Sequence, residues 1–202
     1  SWYGAAAYCN WRSRQEGKPE CYNLSTWEYN PDEKGYHLPT EAQWEYAARG
    51  GLAGKRFPWG DDITHTQANY YSGGYHPLWN DGEWPYTSPV GFFDGTLRYN
   101  IYYNWASSAD SYQTADGGNG YGLYDMAGNM REWCNDWYLK TYYSSSPGFN
   151  PTGPTTETYR VVRGGSWDDP AFGCRVADRY NYFGSPCNRY DNVGFRIARD
   201  LD

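Results

Sequence analysis

The sequence lacks any long apolar run, so it contains no stretch of about 18 apolar residues that could span a membrane as a helix. It also lacks a basic start followed by an apolar block, the pattern of a signal peptide. The first residues, SWYGAAAYCNW, instead place apolar side chains at helical spacing. We therefore expect the chain to begin inside a fold, with any export signal or lipid anchor upstream of it.

Basic residues are scarce. Lys and Arg number 17 against 24 Asp and Glu, which gives a formal net charge of −7. Proteins that bind nucleic acid need a basic surface, so this balance argues against a nucleic-acid partner. An acidic surface of this kind is typical of a protein kept in solution by its charge.

The cysteines do not form a metal-binding pattern. The five are Cys9, Cys21, Cys134, Cys174 and Cys187. No two form a C-x-x-C pair, and the three histidines are scattered, so a zinc site is not predicted. The odd number leaves at least one thiol without a partner inside the chain. We expect the cysteines to be mostly buried and free.

Aromatic residues are abundant, with 23 Tyr and 11 Trp. These side chains combine a large apolar area with a polar tip, and they lose little entropy on binding. We expect most tryptophans to hold irregular backbone in place. The tyrosines Tyr180, Tyr182 and Tyr190 are predicted to bind ligand.

Two segments have helix signals. The first covers roughly Trp2 to Glu16, and the second follows a capping box formed by Thr40 and Gln43 and ends at Gly50. Loop-forming residues then dominate to about residue 120. The strand candidates are Tyr121–Tyr124, Tyr159–Arg163 and Val193–Ala198. We predict a single α+β domain over residues 1–202.

Five blocks then occur in order: SWYGAAAYCNW, YHLPTEAQWEYAARGG with RFPWGD, GYGLYDMAGNMREWCNDWY, RVVRGGSW and NVGFRIAR. Together they resemble the formylglycine-generating-enzyme family, also called the sulfatase-modifying-factor family. The resemblance covers nearly the whole chain. It implies an elaborated C-type-lectin fold, with two helices, a small twisted antiparallel sheet and much irregular loop.

Active members of that family oxidise a substrate cysteine with a pair of cysteines that follows the RGGS block. Such chemistry needs thiols that bind copper or are activated as thiolates. Here RGGSW is followed by six residues without cysteine, and only Cys174 lies near. We therefore expect a protein that is not an enzyme.

The family also implies structural calcium. On this sequence one calcium site would use Asp125, Gly128, Met130 and Glu132. Oxygen ligands on a tight loop suit Ca²⁺. A second, weaker site would use Asn69, Tyr70 and Asp81.

The segment after RGGSW has a second resemblance, to the variable proteins of diversity-generating retroelements, in which adenines of Asn codons are randomised. Such codons cannot yield Lys, Glu, Gln, Met or Trp, and none of these occurs between Asp168 and Arg199. The variable region is placed at about residues 168–191. The residues predicted to vary and to contact ligand are Asp168, Asp169, Phe172, Gly173, Asp178, Tyr180, Asn181, Tyr182, Phe183, Gly184, Ser185, Cys187, Tyr190 and Asp191.

A site can be diversified only if its backbone does not depend on the varied side chains. The blocks RVVRGGSW and NVGFRIAR are expected to supply that fixed frame. The resulting hypothesis is a non-catalytic binding protein at the cell surface, whose partner is a protein or another surface macromolecule. The alternatives are an oxidase that acts on peptide cysteine and a calcium-dependent lectin.

Overall fold

The computed structural model describes residues 1–180 and 184–200. The helices are α1 (Trp2–Gln15), α2 (Glu41–Arg49) and α3 (Asn100–Tyr103). The strands are β1 (Tyr36–His37), β2 (Leu97–Tyr99), β3 (Ser111–Gln113), β4 (Arg131–Trp137), β5 (Arg160–Arg163), β6 (Val193–Gly194) and β7 (Ala198–Arg199). Two short 3-10 turns, Tyr142–Ser144 and Ala171–Cys174, complete the regular structure. The predicted α+β class with small sheets and much loop is confirmed.

The strands form three small sheets. The largest has the order β5-β4-β6. Strands β1 and β7 pair antiparallel, with Tyr36 opposite Arg199, and β2 pairs antiparallel with β3. In the described part of the chain, no helix is long and apolar enough to cross a membrane.

Helix α1 forms where the sequence predicts it. The Ser1 hydroxyl accepts a hydrogen bond from the Gly4 amide at 3.3 Å and so caps its first turn. Trp2, Ala6 and Cys9, which recur at helical spacing, are completely buried. They pack in one core cluster that also contains Leu38.

Helix α2 begins at the predicted capping box. The Thr40 hydroxyl accepts from the Gln43 amide at 3.2 Å, and the Gln43 side chain accepts from the Thr40 amide at 2.8 Å. The helix ends just before Gly50, which has φ of +53°. A left-handed residue at this position is the usual helix stop, so both predicted ends are correct.

The strand predictions failed at residues 121–124, where no strand forms, and at residues 193–198, which divide into the separate strands β6 and β7; they also missed β4. Residues 121–124 form a turn, because the Asn119 side-chain oxygen accepts from the amides of Tyr121 and Leu123 at 3.0 and 3.1 Å. These amides are the donors that a strand would offer to a neighbour. Strand β4 went unrecognised because its run REWCNDW is polar, although six of its seven residues are buried.

The chain forms two compact units. The first comprises residues 1–44, 132–162 and 179–202, and the second comprises residues 45–131 and 163–178. The first unit contains the core around α1. The second has one apolar cluster around Phe57 and Cys174 and another around Phe92 and Trp105. The expectation of a single domain stays a prediction.

Candidate functional site

The RGGSW block turns sharply after β5. Gly165 has φ of +71°, and a Cβ atom there would lie 2.7 Å from the Cys174 sulfur. Only glycine permits this close approach. Ser166 is completely buried, and its amide and hydroxyl donate to the Asp169 carboxylate at 2.8 and 2.7 Å. The same carboxylate forms an ion pair with Arg131.

These contacts give Asp169 a structural position. Its carboxylate ties the turn to the start of β4, and burial raises its pKa against the opposing effect of Arg131. A side chain held in this way does not project toward a ligand. Among the predicted variable residues, Asp169 is therefore an anchor of the backbone.

Cys174 is the cysteine nearest to the RGGSW block. It is completely buried, and burial raises the pKa of its thiol well above the usual range. The thiolate is the reactive form of cysteine, so this environment keeps Cys174 in the unreactive state.

The other predicted variable residues of the second unit differ in exposure. Phe172 is 62% exposed. Asp168 is partly buried and accepts a hydrogen bond from the Tyr75 hydroxyl at 3.3 Å. Gly173 and Asp178 are partly buried, and burial raises the pKa of Asp178.

The remaining described residues of the set lie in the first unit. Tyr180 is 38% exposed, and Cys187 and Asp191 are also exposed. Ser185 and Tyr190 are partly buried, and Gly184 is buried. Asn181, Tyr182 and Phe183 lie outside the described residues.

Residues outside the predicted set hold the backbone of the segment, through the side chain of Arg163 and the main chain of Arg160. In the second unit, the guanidinium of Arg163 donates to the carbonyls of Val176 and Asp178 at 2.7 and 2.6 Å. In the first unit, the Arg160 amide donates to the Gly184 carbonyl at 2.6 Å. These bonds reach the segment through main-chain oxygens, so changing the side chain at position 178 would leave its bond in place.

Arg131 and Arg163 contact the segment but were not among the residues predicted from the sequence. Both are buried, and Arg163 also pairs with Glu45 at 2.5 Å. Arg163 had a signal in the sequence, because it directly precedes the two glycines of the RGGS turn, whereas Arg131 lies 38 residues from its partner Asp169 and had none.

The first predicted calcium site has an oxygen donor that is already engaged. Both Glu132 oxygens pair with Arg196, at 2.5 and 2.7 Å, and one also accepts from the Trp44 indole at 2.7 Å. Glu132 therefore does not fit a calcium ligand in this arrangement. In the second unit, Asp125 accepts from the Gly91 amide at 2.7 Å, and the Gly128 amide donates to a carbonyl. Met130 is partly buried.

The second predicted calcium site fits in part. The side-chain oxygen of Asn69 is buried and has no hydrogen-bond partner among the described residues, as expected for an oxygen that could receive a cation. The Tyr70 carbonyl is engaged by His65 at 3.1 Å, and Asp81 is exposed. No cluster of three or more His, Cys, Asp or Glu side chains suited to a metal occurs within residues 1–180 and 184–200. Calcium binding stays a prediction.

Comparison with known proteins shows which of these features are shared. The chain matches the Sulfatase-modifying factor enzyme 1-like domain over residues 1–201. It is 38% identical over 208 residues to the formylglycine-generating enzyme of Streptomyces coelicolor, an alignment that covers 100% of this chain and 52% of the relative. The corresponding enzyme of Thermomonospora curvata is 34% identical over 99% of this chain and 54% of its own. The chain thus spans about half the length of these relatives.

A solved structure shares the fold. The Treponema denticola variable protein 1 superposes with a TM-score of 0.72 at 28% identity, which covers 98% of this chain and 68% of that one. The predicted resemblance to a variable protein is thus supported at the level of the fold.

The prediction that the chain is not an enzyme is wrong on this comparison. It was based on the absence of a cysteine pair from the short segment after the RGGS block. Two relatives that match 99–100% of this chain are named formylglycine-generating enzymes, which contradicts that prediction. A match over residues 1–201, together with 38% identity to a named member, shows that the chain belongs to the sulfatase-modifying-factor family of formylglycine-generating-enzyme-like domains.

Proposed function

We propose that the chain binds macromolecular ligands at a cell surface, through side chains of the segment 168–191 that a retroelement diversifies. One observation carries the proposal: in this segment, exposed side chains project from a main chain that is held by residues outside the predicted set. Phe172 and Tyr180 are exposed, while Arg163 and Arg160 hold the main chain around them. A frame of this kind tolerates replacement of the projecting groups.

The exposed residues also have the chemistry of a binding surface. Phe172 and Tyr180 supply aromatic area, and Asp191 supplies a charge. In the second unit, partly buried Asp168 lies beside Tyr75, whose ring packs against Trp84 at 6.2 Å. Trp84 is 57% exposed, so aromatic area next to an acid is available to a ligand there.

The frame can be tested by substitution. We expect Phe172→Ser, Tyr180→Ser and Asp191→Ser each to change the free energy of unfolding by less than about 0.5 kcal/mol, because these side chains are exposed. Serine is a residue that a randomised Asn codon can yield. Arg163→Ala should cost about 3 kcal/mol or more, because it leaves the Val176 and Asp178 carbonyls without their donor. Urea unfolding of each variant measures both effects.

Diversification itself is tested by sequencing the 3′ end of the gene in many isolates. Substitutions should concentrate at the codons of Phe172, Tyr180, Cys187 and Asp191, and a nearby template copy should be rich in Asn codons. The codon of Arg163 should stay unchanged. An invariant segment without a template copy would refute diversification, even if the serine variants fold normally.

Oxidation of peptide cysteine is a second candidate, because two relatives that match 99–100% of the chain are named formylglycine-generating enzymes, and the family resemblance implies this chemistry. Within the described residues, Cys174 has no second cysteine beside it in a metal-binding cluster, so no step through copper is derived. Incubation with a cysteine peptide, followed by capture of an aldehyde product with a hydrazide probe, tests this activity. Product that disappears in Cys174→Ser would support it.

A further inference from the structure

A groove of about 500 Å³ lies in the first unit. This volume is in the range of small-molecule sites. The groove is lined by residues of α1, of the loop that follows it, of β4 and of the segment that leads into β5. Those that matter here are the aromatic residues Tyr3, Trp27, Tyr29 and Trp137, and Arg160, the one cation among the described lining residues.

Arg160 is clamped between two indoles. Its guanidinium carbon lies 3.7 Å from the centre of the Trp2 ring and 3.6 Å from that of Trp137. Stacking on both faces fixes the plane of the guanidinium and leaves only its edge for hydrogen bonds. One edge nitrogen, Nη1, donates to the Asn135 carbonyl at 2.5 Å.

The charge of Arg160 is not balanced by a close acid. The residue is 6% exposed, and its Nε has no hydrogen-bond partner in the described chain. Among residues 1–180 and 184–200, no ion pair includes Arg160. A buried cation is costly unless an anion accompanies it, so this site favours an anionic ligand.

Two acids, Asp136 and Glu28, lie near the groove. Asp136 acts on the guanidinium electrostatically, and its Oδ1 has no hydrogen-bond partner among the described residues. Burial raises the pKa of Asp136 to about 7, so near neutral pH this carboxyl carries only part of a charge. Glu28 is exposed at the rim, where the Thr26 hydroxyl donates to it at 3.0 Å.

The aromatic side chains of the groove indicate which kind of molecule carries the anionic group. The rings of Tyr3 and Trp27 lie 4.6 Å apart at an angle of 50°, and both are partly exposed. Partly buried Trp137 presents a third ring. Rings arranged around a cation suit a ligand with a ring of its own, either an aromatic ring or the C–H face of a sugar ring.

We propose that this groove binds an organic carboxylate, whose acid group pairs with Arg160 and whose ring packs against Tyr3, Trp27 and Trp137. The carboxylate can come from an aromatic acid or from an acidic sugar, since both combine the charge with a ring. This site is independent of the ligand-binding segment, so either proposal can fail without the other.

Calorimetric titration of the whole chain with phenylacetate and with glucuronate distinguishes these sources. Phenylacetamide and glucose are the neutral counterparts. We expect one of the acids to bind with a Kd of about 1 mM or tighter, and its neutral counterpart to bind at least about tenfold more weakly. If both acids fail to bind at about 10 mM, or if the neutral compounds bind equally well, the proposal is wrong.

Variants locate the binding. Trp27→Ala should weaken it at least about tenfold, whereas the matched control Trp11→Ala, which removes a 44% exposed indole of α1 outside the lining residues named above, should leave it unchanged. Arg160→Lys keeps the charge, loses the planar fork and should abolish binding. If Arg160→Lys does not fold, the Trp27→Ala variant and the neutral compounds still show whether the acid binds in this groove. Unchanged binding in a folded Trp27→Ala would overturn the assignment.

Discussion

At the scale of the residue, Asp136 shows what burial costs. Its side chain is 1% exposed, one of its oxygens has no hydrogen-bond partner in the described chain, and burial raises its pKa to about 7. The nearby charge of Glu41 adds to this shift. In the unfolded chain the pKa returns to the ordinary value near 3.8. Between these values the folded state retains a proton that the unfolded state has released, so Asp136 lowers stability as the pH rises through this window.

We therefore expect Asp136→Asn to stabilise the protein at pH 8 by on the order of 1–3 kcal/mol. The amide has no charge to bury, and its oxygen can still accept from the Glu41 amide. The difference from the wild type should shrink toward pH 4. Urea unfolding between pH 4 and 8 measures it, with Asp32→Asn, an exposed carboxyl, as the control. A wild-type stability that does not fall between pH 5 and 7 would contradict this account.

At the scale of the element, the capping box decides where α2 begins. Thr40→Ala removes the acceptor of the Gln43 amide and should lower the free energy of unfolding by about 1 kcal/mol. Thr40→Ser keeps the hydroxyl and removes only the methyl group, so it is the matched control. Thermal unfolding followed by circular dichroism compares the three proteins. Equal losses in both variants would show that packing of the methyl group matters, and the cap does not.

The same scale shows what the sequence could predict. Both long helices were predictable because each begins with a cap whose two partners are only three residues apart in sequence, as Thr40 and Gln43 are in α2. Strand β4 was not, because its polar residues find their partners far along the chain. The Asn135 side chain accepts a hydrogen bond from the Tyr22 hydroxyl, and the Asp136 carboxylate accepts one from the Glu41 amide.

Some features of the candidate site could be predicted from the sequence, and others could not. The exposure of Phe172 and Tyr180 was predicted correctly from residue types that suit a binding surface. The anchoring position of Asp169 was not predictable, because its partner Arg131 lies 38 residues away. Residue type alone cannot separate an acid that projects from an acid that holds a turn.

At the scale of the whole molecule, the five thiols fall into two groups. Cys9, Cys21, Cys134 and Cys174 are buried, and Cys187 is exposed. We expect native protein to react with one equivalent of maleimide, and protein in urea to react with five, because thiol reactivity requires access. Intact-mass measurement counts the adducts. Cys187→Ser should remove the native reaction, and labelling of that variant under native conditions would show that a buried thiol opens to solvent.

The side chain of Asn119 has a consequence for the ageing of the protein. Besides accepting from the turn amides of Tyr121 and Leu123, it donates to the carbonyls of Ala47 and Ala48 at 2.6 and 3.2 Å. It also precedes Gly120, and an Asn-Gly pair is chemically prone to lose its amide as ammonia. The resulting aspartate would face the two carbonyls without a hydrogen to donate, so the stop of α2 would loosen with storage time. While the fold is intact, four hydrogen bonds hold this amide in place and slow that loss.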